Sequence, residues 1–140
     1  MGFATKVFIS YAGKDEALAA KVVASLEEAG LAAWYAKREI TPGENWGEKI
    51  AQGLKESDAM VVLLTPDALE SNSVSWDINY ALGEKAYSKR LIPVMVGDLE
   101  QFSNSNIPWI LKHLNVIKLP ESDGNNESFR QIAQALRDAA

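Results

Sequence analysis

The sequence predicts a doubly wound α/β fold, a parallel sheet of about five strands with helices on both faces. Three observations carry this. Short apolar runs rich in β-branched residues alternate along the chain with segments of helical period. One run, AMVVLL at 59–64, has no polar side to turn to solvent, as expected of a central strand covered on both faces. With 140 residues and 47% apolar side chains, the chain suits a single domain over 1–140 with one core.

The first strand is KVFIS at 6–10, β-branched and aromatic. Tyr11, Ala12, Gly13 and Lys14 loop into a helix from about Asp15 to Glu28, which Gly30 stops. A second strand, Leu31 to Tyr35, leads into the polar loop AKREITPGEN, punctuated by Pro42 and Gly43. The next helix spans about Asn45 to Glu56, and Trp46, Ile50 and Leu54, each four apart, make its core-facing side. After the central strand, Thr65 and Pro66 open a turn-rich piece. Ser71, Asn72 and Ser73 are each suited to cap a helix with Val74, Ile78, Ala81 and Leu82 on its apolar face, Asp77 pointing away from that face. Leu91 to Val96 is the fourth strand, and Pro93 within it predicts a position near the sheet edge or a bulge. Residues 98–114, with Trp109 and His113, read as irregular or as short surface helix. Val116 to Leu119 is a fifth strand, and Asn126 to Arg137 a closing helix with Phe129, Ile132, Ala133 and Leu136 at helical spacing.

Composition excludes several functions. A net charge of -5 with 24% charged residues is neither disordered nor basic enough to follow a nucleic-acid backbone. Without cysteine, and with His113 alone, no thiolate zinc site, iron-sulfur cluster, cysteine nucleophile or histidine-rich metal site is expected. Met1 to Lys6 is no basic signal region, and no run approaches the roughly 18 apolar residues that span a bilayer. The expectation is a cytoplasmic protein that binds no membrane, nucleic acid or metal.

In such folds ligands bind beyond the carboxyl ends of the strands where strand order reverses. Gly13-Lys14-Asp15 lacks the first glycine and the hydroxyl of a phosphate loop, and no G-x-G-x-x-G follows the first strand. A phosphoacceptor receiver would need a carboxylate where Leu64, Thr65 and Pro66 stand.

Five segments in order do fit a family. VFISYAGKD at 7–15, residues 30–34 ending in Trp34, ITPGENW at 40–46, LLTPDALESNSVSWDINYAL at 63–82 and RLIPVMVGD at 90–98 resemble a Toll/interleukin-1 receptor (TIR) domain of the bacterial kind. The resemblance implies a flavodoxin-like sheet of order 2-1-3-4-5. It further implies an NAD+ glycohydrolase or cyclase, activated by self-assembly and used in bacterial defence signalling, that releases nicotinamide and ADP-ribose or a cyclic variant. NAD+ is then the substrate, other TIR domains are the partners, and no cofactor or metal is needed. The alternative within the family is a non-catalytic adaptor that only assembles.

Catalytic members carry a glutamate six residues beyond a serine, and from Ser71 that offset falls on Asp77, one methylene shorter. A carboxylate suits the chemistry because the bond breaks through an oxocarbenium-like ribosyl cation that a nearby anion stabilises. Ser10, Tyr11 and Ala12 at the end of the first strand, Trp34 as a stacking ring, Ser71 and Ser73 are the expected substrate-binding residues. Ser73 stands where catalytic members often have tryptophan. The loop from Ala36 to Glu44 aligns with the family's assembly loop, with Lys37, Arg38, Glu39, Pro42 and Gly43 as its contact residues.

Overall fold

The computed structural model describes residues 6–83, 91–96, 117–119 and 126–139. In chain order these form β1 (Lys6–Ser10), a 3₁₀ turn (Gly13–Asp15), α1 (Glu16–Glu28), β2 (Ala32–Trp34), α2 (Ala36–Glu39) and α3 (Trp46–Glu56). β3 (Ala59–Leu64), α4 (Pro66–Leu69), α5 (Asn72–Gly83), β4 (Leu91–Val96), β5 (Ile117–Leu119) and α6 (Asn126–Ala139) follow. The strands make one parallel sheet in the order β2-β1-β3-β4-β5, the flavodoxin-like arrangement. The segment 98–114, with Trp109 and His113, lies outside the described residues.

Side chains alternate across a strand, and two cores follow from that alternation. On one face Val7, Ile9, Val61, Leu63, Ile92 and Val94 meet Leu18, Val22 and Leu26 of α1 and Phe129, Ile132 and Leu136 of α6. On the other, Phe8, Met60, Val62 and Leu64 meet Leu54 of α3 and Val74, Ile78 and Ala81 of α5. Every residue of β3 is buried, so this strand is the centre of both layers. Full burial of a Val, Leu, Ile, Phe or Met side chain contributes about 1.5–3 kcal/mol relative to leaving it exposed. Leu82, expected on the apolar face of α5, is 36% exposed at the flank of the stripe.

Local signals set the helix ends. Beyond α1 the Leu31 N–H donates to the Leu26 carbonyl, and Gly30 takes φ 87°, a conformation that favours glycine. Asn45 caps α3 by accepting from the Glu48 N–H at 3.1 Å. The turn-rich piece after β3 is a short helix, because the Thr65 hydroxyl accepts from the Ala68 N–H at 3.1 Å and proline suits the first turn. The polar loop likewise begins with a helical turn, α2, where buried Ala36 packs into the second core. β4 is the strand next to the edge strand β5, so Pro93 lies near the sheet edge, as expected. Among the described residues β5 pairs with Val94 to Val96, and Pro93 stands opposite Val62 of β3.

Candidate functional site

The alternation along β1 that sends Phe8 into the second core sends Ser10 the same way, toward α5. On α5, Val74, Asp77, Ile78 and Ala81 fall at i, i+3, i+4 and i+7, one stripe of a helix. Asp77 therefore faces inward and is only 5% exposed, which corrects the expectation that it points away from the apolar face. There it meets Ser10, whose Oγ donates to Asp77 Oδ2 at 2.8 Å. Withdrawal from water pushes the Asp77 carboxyl up to about 6, and the Ser10 bond, which favours the charged form, holds it from rising further.

Asp77 and Ser71 form one side of a cavity of about 360 Å³ at the carboxyl ends of β1 and β2, beside the point where the chain order of the strands reverses. Phe8, Ile9 and Tyr11 supply its β1 side, and Ile40, Trp46 and Ile50 its apolar mouth. Trp46 was expected in the core with Ile50 and Leu54. It is 55% exposed, because the first turn of α3 overhangs the cavity while the last turn, with Leu54, rests on the sheet.

Trp34 is placed the other way round. Its ring lines the cavity but is 5% exposed and stacks on Phe8, with centroids 5.0 Å apart and planes 11° apart. Gly53 of α3 lies against the same ring, so close that a Cβ there would come within 2.5 Å of it. Trp34 is thus a core ring held by two elements, and the accessible flat surface belongs to Trp46, which sequence reasoning missed.

Two polar contacts hold α2 at the cavity. The Tyr11 hydroxyl accepts from the Lys37 N–H at 3.2 Å, and Lys37 Nζ pairs with Glu16 at 3.3 Å. Burial pushes the Tyr11 phenol up. Farther along the loop, Glu44 accepts from the Thr41 N–H and hydroxyl and pairs with Lys49 at 2.9 Å. These bonds, the one from Lys49 foremost, hold the Glu44 carboxyl down at about 2. Lys37, Glu39, Pro42 and Gly43 are exposed.

Ser71 also caps α5, its hydroxyl accepting from the Val74 N–H at 3.3 Å. Ala12 is buried in the second core. The side chains of Ser73 and Arg38 lie outside the described residues. Among the described residues no group of three acidic or histidine side chains is placed to hold a metal ion, and no helix is long and apolar enough to cross a membrane.

The sequence profile of the TIR domain matches residues 7–136. The chain belongs to the TIR domain family. It is 27% identical over 109 residues to a Methanobrevibacter olleyae protein named probable 2' cyclic ADP-D-ribose synthase TcpO, an overlap of 74% of this chain. It is 24% identical over 134 residues to the stimulator of interferon genes protein of Magallana gigas, an overlap of 94% of this chain. The matched region is 32% of each of those longer proteins. Among solved structures, the TIR domain of the Toll-related receptor TRR-2 from Hydra magnipapillata superposes with a TM-score of 0.71 at 23% identity, covering 94% of this chain and 97% of that one. A TIR-STING receptor from C. gigas, solved with 2',3'-cGAMP, gives 0.74 at 24%, covering 93% of this chain and 38% of that one. Both likenesses show the TIR fold.

Proposed function

We propose that this TIR domain cleaves the nicotinamide-ribose bond of NAD+, with Asp77 as the carboxylate that stabilises the ribosyl cation. The observation that carries the reading is the placement of Asp77. A carboxylate 5% exposed, pushed up to about 6 by burial and lining a cavity at the carboxyl end of the sheet contributes nothing to packing that an apolar residue would not. The printed name of the M. olleyae relative, a probable cyclic ADP-D-ribose synthase, supports the same substrate.

In the proposed reaction the C–N bond to nicotinamide breaks and its electron pair leaves with the neutral nicotinamide. Positive charge develops on the ribose beside the Asp77 carboxylate, in a site partly shielded from water. Water then adds to the ribosyl carbon and loses a proton, giving ADP-ribose; attack by a nucleophilic group of the same molecule gives a cyclic product. Trp46 at the mouth offers a face to a planar ring of the substrate. Because only ionised Asp77 serves, the rate rises with pH through about 6 and levels above it. The exposed residues Lys37, Glu39, Pro42 and Gly43 supply the assembly contacts, and a neighbouring copy completes the pocket.

The test is release of nicotinamide from NAD+ by the chain over a range of protein concentrations. The expected result is a rate per molecule that climbs with concentration. One observation favours the non-catalytic adaptor instead, the 71% exposure of Trp76 next to Asp77, an apolar surface suited to a protein partner. No nicotinamide at any concentration where light scattering shows assembly would leave that adaptor reading standing.

A further inference from the structure

We propose that Ser10 is a positioning residue for the reacting carboxylate: from the end of β1 its hydroxyl ties one oxygen of Asp77 in place and leaves the other turned to the cavity. This inference rests on the reading of Asp77 given above. The position of Ser10 at a strand end suggested a substrate contact, but the residue is 1% exposed, and the cavity is walled by its chain neighbours Ile9 and Tyr11. Ser10 reaches the cavity through Asp77, with which it shares a buried bond of 2.8 Å.

The geometry suits orientation better than packing. An aspartate has two side-chain torsions, and a carboxylate that swings freely about the second presents no fixed oxygen to a developing charge. Ser10 closes the register of β1 with the central strand β3, opposite Val62, so its position is set by the sheet. The bond joins residues 67 apart in the chain and fixes the carboxylate against the sheet rather than against its own helix. The bond is made at the aspartate's length, with the carboxylate about 1.5 Å closer to the Cα than a glutamate would carry it. A pair of apolar residues would fill this space as well, which leaves orientation as what the polar pair adds.

Among the described residues the other titratable side chains on the cavity are Tyr11, Glu16 of α1 and Lys37 of α2, the last two paired at 3.3 Å. All three remain in every variant below, so a midpoint that moves with residue 10 reports the Ser10–Asp77 bond.

The test uses the full chain and two readouts, a carbon-13 NMR titration of the Asp77 carboxyl and the kinetics of nicotinamide release. Ser10→Ala is expected to raise the Asp77 midpoint by about one unit, because it removes a bond to the charged form. It is expected to lower kcat about tenfold to a hundredfold with KM changed less than about twofold, and to move the acid limb of the pH profile up with the NMR midpoint. Ser10→Thr, which keeps the hydroxyl, restores both. Ser10→Cys, a weak donor of similar size, gives the alanine result in part and supplies the reading if the alanine variant does not fold. An unmoved midpoint with wild-type kcat overturns the positioning role, as does a raised KM with kcat unchanged, which would make Ser10 a substrate contact. A wild type that releases no nicotinamide while the midpoint still moves with residue 10 overturns the enzymatic reading instead, and the role in catalysis with it.

Discussion

The two faces of the sheet are built from the same strands but differ in what they bury. The face under α1 and α6 is lined by aliphatic residues and Phe129, from Val7 to Leu136. The face under α3 and α5 is equally apolar over most of its area, with Phe8, Met60, Val62 and Leu54, but there Ser10 and Asp77 are buried and a cavity opens. A carboxylate is among the costliest groups to bury. On the proposed reading of Asp77, the face that buries it beside a cavity is the working one and the other is foundation.

Four substitutions sharpen or break this contrast. The largest effect is expected from Trp34→Ala, which removes a core ring stacked on Phe8 and costs about 3–5 kcal/mol of stability in urea unfolding. A variant of wild-type stability and raised KM would instead make Trp34 a substrate contact.

Asp77→Asn should act in the opposite direction. Folding raises this carboxyl from 3.8 to about 6, so the fold favours the protonated form. Its contribution is most favourable below about pH 4, declines as pH rises through this interval, and is lower by about 3 kcal/mol above pH 6, at about 1.36 kcal/mol per unit. The asparagine protein escapes that decline. It is expected to match wild type near pH 4 and to exceed it by about 3 kcal/mol at pH 7, as read by urea unfolding at both. A loss of stability at pH 7 would place Asp77 in the foundation.

Asp77→Glu tests the length match with Ser10, and displacement of the carboxylate by more than about 1 Å is expected to slow nicotinamide release by about a hundredfold. Faster release by the glutamate protein would show that aspartate is the poorer residue at this position. The smallest effect on the fold is expected from Trp46→Ala. Stability should stay within about 0.5 kcal/mol for this exposed ring. KM for NAD+ should rise by the equivalent of about 1–3 kcal/mol, with partial recovery in Trp46→Phe.

Much of the foundation was legible in the sequence and less of the working face. Runs such as AMVVLL and the stripe from Phe129 to Leu136 report burial directly, because strand and helix periods translate apolar spacing into faces. The stripe Trp46, Ile50, Leu54 reports a face but not which end of the helix overhangs a cavity, so Trp46 was placed in the core. Trp34 reads as strand-end aromatic either way, since its partners Phe8 and Gly53 come from elements distant in the chain. Asp77 was legible in the sequence. Its offset from Val74, Ile78 and Ala81 already puts it in the buried stripe. The pairing with Ser10 depends on β1 lying next to β3 beneath α5, a matter of topology that no local pattern contains.

The central claim is that the working face keeps a buried charge for chemistry rather than for the fold. The most direct measurement is the initial rate of nicotinamide release from saturating NAD+ by Asp77→Asn, at a protein concentration where wild type is active and with the fold verified by circular dichroism. A rate at least about a hundredfold below wild type is expected, the loss of one electrostatic stabiliser of about 2.7–4 kcal/mol. A folded asparagine protein that releases nicotinamide at the wild-type rate would contradict it.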